Sequence, residues 1–150
     1  MNPTTTLTMT DVPPDDRRMT TDIRPLVHVL RPALTDADFD RFAAEAHRQG
    51  LVFTAAYDPH GHCAGVATHR VLATSRGRVL FVDDLVTDPA RRSAGIGAEL
   101  LRHLTARARA AHCDRVELDS GVTNQAAHRF YHARRMTISA LHFALEVGAD

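Results

Sequence analysis

Two acids, a basic glycine-containing loop and a helix start follow one another in Asp83-Asp84-Leu85-Val86-Thr87-Asp88-Pro89-Ala90-Arg91-Arg92-Ser93-Ala94-Gly95-Ile96-Gly97. The order reads as a strand, a loop and the first turn of a helix, which together build an anion site. The first N–H groups of a helix have no intrahelical partner, and the helix dipole favours negative charge there. Gly95 and Gly97 let the backbone approach a ligand, while Arg91 and Arg92 add positive charge. The expected guest is a phosphate or pyrophosphate. No Gly-Lys-Ser/Thr follows, which excludes a P-loop. Leu100 stands where the dinucleotide fingerprint needs its third glycine, and too little chain follows for a doubly wound domain.

A second constellation is Asn124-x-x-Ala127-x-x-x-Tyr131. Spacings of three and four put these residues on one helical face. Alone, the pattern also describes an N-cap asparagine followed by a small core residue and a buried tyrosine.

Together, Arg92-x-x-Gly95-x-Gly97 and Asn124-x-x-Ala127-x-x-x-Tyr131 resemble the GCN5-related N-acetyltransferases, the GNAT family, over Val79 to Val147. The resemblance implies acetyl-CoA as co-substrate and no metal. Arg91, Arg92, Ser93, Ala94, Gly95, Ile96, Gly97 and Ala98 would hold the pyrophosphate, mainly through backbone N–H groups. The backbone of Leu85, Val86 and Thr87 would pair with the pantetheine amides like an added strand. Asn124 would hydrogen-bond the pantetheine on the face shared with Ala127. Tyr131 would protonate the departing thiolate, a transfer that reference pKa values of about 10 and about 8.5 allow. One departure stands out: the family often has Gly-Phe where this chain has Arg135-Met136, so a helix-ending glycine is missing.

Acetyl transfer to nitrogen also needs a neutral amine. A carboxylate can attract the ammonium and take its proton. The resemblance points to Asp83 and Asp84, with Asp84 favoured. Adjacent strand residues face opposite ways, so one of the two is expected at the acceptor unless a bulge intervenes. Glu117 and Asp119 share a face of the next strand, where they line the pocket or form salt bridges. His128 and His132 have metal-like spacing but lack the glutamate of a zinc protease motif. Cys63 and Cys113 both precede the catalytic helix, which favours direct transfer in a ternary complex over an acyl-enzyme.

These residues need a scaffold. Residues 1–24, rich in Thr, Pro and Asp, read as a flexible tail, and residues 25–150 as one acetyltransferase domain. Leu26 to Arg31 alternates and ends at Pro32, predicting a first strand. Thr35 caps one long helix that stops at Gly50, where the family usually has two. Strands follow at Leu51–Tyr57, Cys63–Leu72 and Val79–Thr87, then an amphipathic helix from about Gly95 to His112. A short strand at Val116–Asp119, a helix from Asn124 to about Arg134 and a last strand or pair within Thr137–Val147 complete the chain. The fold class is α/β, a central mixed sheet flanked by helices, similar to the GNAT fold.

Composition bounds the partners. The chain has 150 residues, 44% apolar, with zero formal net charge and ten histidines. Neutrality argues against generic nucleic-acid or membrane binding. No apolar run approaches the roughly 18 residues of a membrane span, and two cysteines without metal spacing suit a reducing cytoplasm. Leu118 to Val122, Ala127 to Tyr131 and His142-Phe143 look like a bacterial GNAT subgroup. That likeness implies a small primary amine, an aminoglycoside such as kasugamycin, and hence antibiotic resistance. The family also implies a homodimer through C-terminal strands, with Phe143, Leu145 and Val147 at the edge. The alternatives are a protein or peptide N-acetyltransferase and a non-catalytic acyl-CoA-binding module.

Overall fold

A computed structural model describes residues 6–148, which form two compact units divided after residue 117. Strands β1 (Thr8–Asp11), β2 (Val52–Tyr57), β3 (Cys63–Thr74), β4 (Gly77–Thr87) and β5 (Arg115–Leu118) lie side by side in chain order. The β1–β2, β2–β3 and β3–β4 pairs are antiparallel. Helix α3 (Ile96–Ala110) makes the crossover from β4 to β5, and the sheet is mixed.

The N-terminal segment departs from the sequence expectation. Within residues 1–24, Thr8–Asp11 pairs with β2, and a π-helical turn at Met19–Ile23 runs into α1 (Arg24–Leu30). Residues 1–5 of the expected tail lie outside the described residues. The predicted strand over Leu26–Arg31 is therefore helix. Met19, Ile23, Leu26 and Val27 recur at helical spacing and are buried, and Pro25 suits a helix start. With α2 (Asp36–Arg48) this gives the two helices that the single-helix reading lacked. Thr35 caps α2 as expected, its hydroxyl accepting the Asp38 N–H at 3.1 Å. Phe39, Ala43 and Ala46 turn inward. They join Phe53, Ala55, Val66 and Val86 in one core layer.

The other layer is α3. Ile96, Leu100, Leu101, Leu104 and Ala108 are its buried stripe. It sits close on β3 at Gly65, where a Cβ would stand 2.9 Å from Ile96 Cγ2 and 3.0 Å from Leu100 Cδ1.

The second unit contains α4 (Gln125–Ala133). The missing glycine does not spoil its end. Arg135 itself takes the left-handed conformation, φ +63°. Its N–H donates to the His132 carbonyl at 3.0 Å, and the Met136 N–H donates to the Tyr131 carbonyl at 3.1 Å. This is the Schellman pattern with arginine in the glycine position. The expected strand or strands within Thr137–Val147 do not form among the described residues. A strand needs a partner for its ladder, and this segment pairs with none among the described residues.

Candidate active site

The pyrophosphate loop forms as the residue pattern requires. Asp88 accepts the Ala90 N–H at 3.0 Å and caps a short 3-10 turn, Pro89–Arg91. Gly95 precedes α3 with φ +81°, a left-handed conformation that favours glycine, and it offers no side chain to cap the helix. The first-turn N–H groups around Ile96, Gly97 and Ala98 are thus left for a ligand. Arg92, Ser93 and Ala94 are exposed. Arg91 is placed differently from expectation. Its Nη1 lies 2.7 Å from Oδ2 of Asp58, whose side chain is 3% exposed.

Leu85, Val86 and Thr87 pair with Ala67, Val66 and Gly65 of β3. On the far side, β5 has four residues to the eleven of β4. The Asp114 N–H donates to the Arg78 carbonyl at 2.7 Å, so β5 begins beside the start of β4. Four residues that begin there are too few to reach Leu85. The outer edge of Leu85–Thr87 can therefore receive an extended ligand.

A bulge decides how the two acids point. Thr68 pairs with Asp84 but His69 pairs with Val82, so Asp83 is the extra residue on β4. Thr68 Oγ1 donates to Asp84 Oδ2 at 3.1 Å. Arg70 Nε donates to Asp83 Oδ2 at 3.1 Å and its Nη2 to Oδ1 at 3.2 Å. Thr68 and Arg70 are two apart on β3 and share a face. Both carboxylates therefore serve the same face, which corrects the expectation of opposite directions. Arg31, at the end of α1, approaches Asp84 Oδ1 at 3.4 Å. Nothing local in the sequence marks Arg31, Thr68 or Arg70 as partners of these acids.

Glu117 and Asp119 take the salt-bridge alternative. Glu117 meets Arg76 at 3.3 Å and Arg115 at 3.7 Å, and Asp119 meets His142 at 2.9 Å. In the second unit, Asn124 Oδ1 accepts the Ala127 N–H at 3.2 Å and caps α4, leaving its amide NH2 as the group able to donate. Tyr131 stacks edge-on against Phe130, and burial raises its pKa. It therefore keeps its proton at neutral pH. His128 Nε2 lies 2.8 Å from the Gly121 carbonyl and His132 Nδ1 lies 3.1 Å from that of Met136, so both serve backbone. Burial pushes the Cys63 thiol up to about 11, which makes it a poor nucleophile.

Comparison with known proteins places this arrangement. No curated protein matches the chain. An acetyltransferase of Trypanosoma brucei is 23% identical, with a TM-score of 0.74 over 95% of this chain and 100% of that one. The aminoglycoside N-acetyltransferase AAC(6')-Iy in complex with CoA is 14% identical, with a TM-score of 0.81 over 99% of each chain. Glucosamine-6-phosphate N-acetyltransferase of Arabidopsis thaliana is 20% identical, with a TM-score of 0.72 over 95% of this chain and 99% of that one. At these identities the likeness is one of fold. The family model described as the acetyltransferase (GNAT) family matches residues 18–136. The chain therefore belongs to the GNAT family and is an acetyl-CoA-dependent N-acetyltransferase.

Proposed function

We propose that this enzyme acetylates a primary amine of a small molecule, an aminoglycoside such as kasugamycin, by direct transfer in a ternary complex. The observation that carries this reading is the bulge that turns Asp83 and Asp84 to one face, next to the Leu85–Thr87 edge. Asp83 is held by Arg70 through both oxygens, which leaves Asp84, met by Arg31 at 3.4 Å, as the carboxylate that would attract an ammonium and accept its proton. Aminoglycoside acetyltransferases among the fold neighbours support the same acceptor class.

Acetyl-CoA would supply the activated acyl group as a thioester. Its pyrophosphate would rest on the N–H groups from Ser93 to Ala98, with Arg92 beside them. Its pantetheine would pair with Leu85–Thr87 and accept from Asn124. Asp84 would take the first proton from the ammonium, and the neutral nitrogen would then attack the thioester carbonyl. Tyr131 would give its phenolic proton to the leaving sulfur. The nitrogen's second proton then neutralises the Tyr131 phenolate through solvent, and Asp84 releases the first proton to solvent.

The exposed C-terminal arm supports a homodimer. Phe143, Leu145 and Val147 alternate and are 88%, 89% and 94% exposed, a row that a second copy would cover. The free cysteines Cys63 and Cys113 fit a reducing compartment such as the cytoplasm. Among the described residues no helix is long and apolar enough to cross a membrane.

The test is CoA release from acetyl-CoA with a panel of aminoglycosides, polyamines and peptides. Release with an aminoglycoside or polyamine but not with peptides is expected. Release with peptides alone would replace the small-molecule reading, and release with none would replace the catalytic one.

A further inference from the structure

Asp58 follows β2 and is remote in sequence from the loop, yet its carboxylate ties the β2–β3 turn to that loop. Its Oδ1 accepts the N–H groups of His60 at 2.8 Å and His62 at 3.0 Å, which fixes it on the β2–β3 turn. Its Oδ2 receives Arg91 Nη1 at 2.7 Å. Arg91 closes the 3-10 turn four residues before Gly95, and its carbonyl receives the Ala94 N–H at 3.4 Å. A guanidinium spent on a buried acid is a poor ligand for a phosphate, but it is a good strut.

We propose that Asp58 is a positioning residue for acetyl-CoA binding: it holds Arg91, and through Arg91 it fixes the chain entering α3, without either side chain contacting the donor. This rests on the reading that the Arg91–Ala98 loop binds the pyrophosphate. Ion pairs taken out of water add little net stability, so their value lies in fixing one arrangement. Here the arrangement fixed is the direction of the first-turn N–H groups. The Arg91 charge is neutralised, so Arg92 and the helix end face the phosphates. The His62 N–H first, and then Arg91, hold the Asp58 carboxyl down to about 2, so the strut persists in mild acid.

The experiment measures acetyl-CoA affinity by calorimetry, together with KM and kcat, for wild type, Asp58→Asn, Arg91→Gln and the double variant. Asparagine keeps the oxygen that caps the turn and removes the charge facing Arg91. Each single variant should raise Kd and KM for acetyl-CoA by about tenfold with kcat within about twofold, and the double should be no worse than either single. Arg91→Lys should recover part of the loss. If Asp58→Asn does not fold, Arg91→Gln and Arg91→Lys carry the test. Tighter binding by Asp58→Asn with weaker binding by Arg91→Gln would overturn the proposal, because Arg91 would then be a direct phosphate ligand. Lower thermal stability with unchanged Kd would also overturn it, leaving Asp58 as a turn anchor only. Absence of acetyl-CoA binding in wild type would overturn the donor reading itself, a result the variants cannot mimic.

Discussion

The two ends of α3 carry similar parts arranged for opposite purposes. Each has an arginine paired to an acid of a strand or of the turn that follows one. At the C-terminal end, Arg107 Nη1 meets both oxygens of Asp11, at 2.8 and 2.7 Å. Thr54 Oγ1 donates to Asp11 at 2.8 Å and lies 2.9 Å from His69 Nε2. Thr54 and His69 are buried, Asp11 and Arg107 are partly exposed, and each of the four side chains is paired within the network. At the N-terminal end, Asp58 and Arg91 close the support, but Gly95 leaves the helix N–H groups uncapped and Arg92 exposed. A polar network satisfied from within stabilises the fold; one left open at a single point is a binding site.

The largest expected effect tests the closed end. His69→Ala leaves a cavity and strips Thr54 of a partner, and should cost about 3 kcal/mol in urea unfolding. KM for acetyl-CoA should stay within about twofold. A large KM change at unchanged stability would erase the distinction between the ends.

Acid should separate them next. Burial first, then the Arg107 charge, lowers the His69 pKa from the usual 6.5 to about 4. The unfolded chain therefore binds the extra proton between about pH 6.5 and 4, and stability falls as pH falls through that window. From pH 7 to 4.5 the loss should be about 2–3 kcal/mol, and His69→Ala should flatten it. The Asp58 carboxyl, held near 2, should keep its pair with Arg91 over the same range. Urea midpoints at both pH values for the two proteins check this.

Gly65→Ala joins the ends through the helix itself. Its Cβ would press on Ile96 and Leu100. The substitution should cost about 2 kcal/mol and also raise KM for acetyl-CoA, since it displaces the first turn of α3. Arg135→Gly is the smallest. Glycine adopts the left-handed φ without strain, so it should add about 1 kcal/mol of stability in thermal unfolding and leave acetyl-CoA affinity unchanged. Stability and binding would then move independently.

What the sequence revealed follows the range of the forces involved. The loop and α3 were legible because glycines, arginines and a stripe of leucines act within a few residues of each other. The N-terminus was not. The helical spacing of Met19, Ile23, Leu26 and Val27 crosses a boundary that the Thr/Pro/Asp composition suggested, and Thr8–Asp11 has little apolar character to mark a strand. The alternation of Phe143, Leu145 and Val147 is real, but a strand is completed only by its neighbour. The convergence of Asp83 and Asp84 depends on a register shift against β3, and the Asp58–Arg91 strut spans 33 positions, so neither leaves a local signal.

Amide chemical-shift mapping during titration with acetyl-CoA distinguishes the open end of α3 from the closed one. The largest shifts should fall at Gly95, Ile96, Gly97 and Ala98 and along Leu85–Thr87, with the amides of Thr54, His69 and Arg107 unmoved. Shifts concentrated around His69 and Arg107, with Gly95–Ala98 silent, would contradict that distinction.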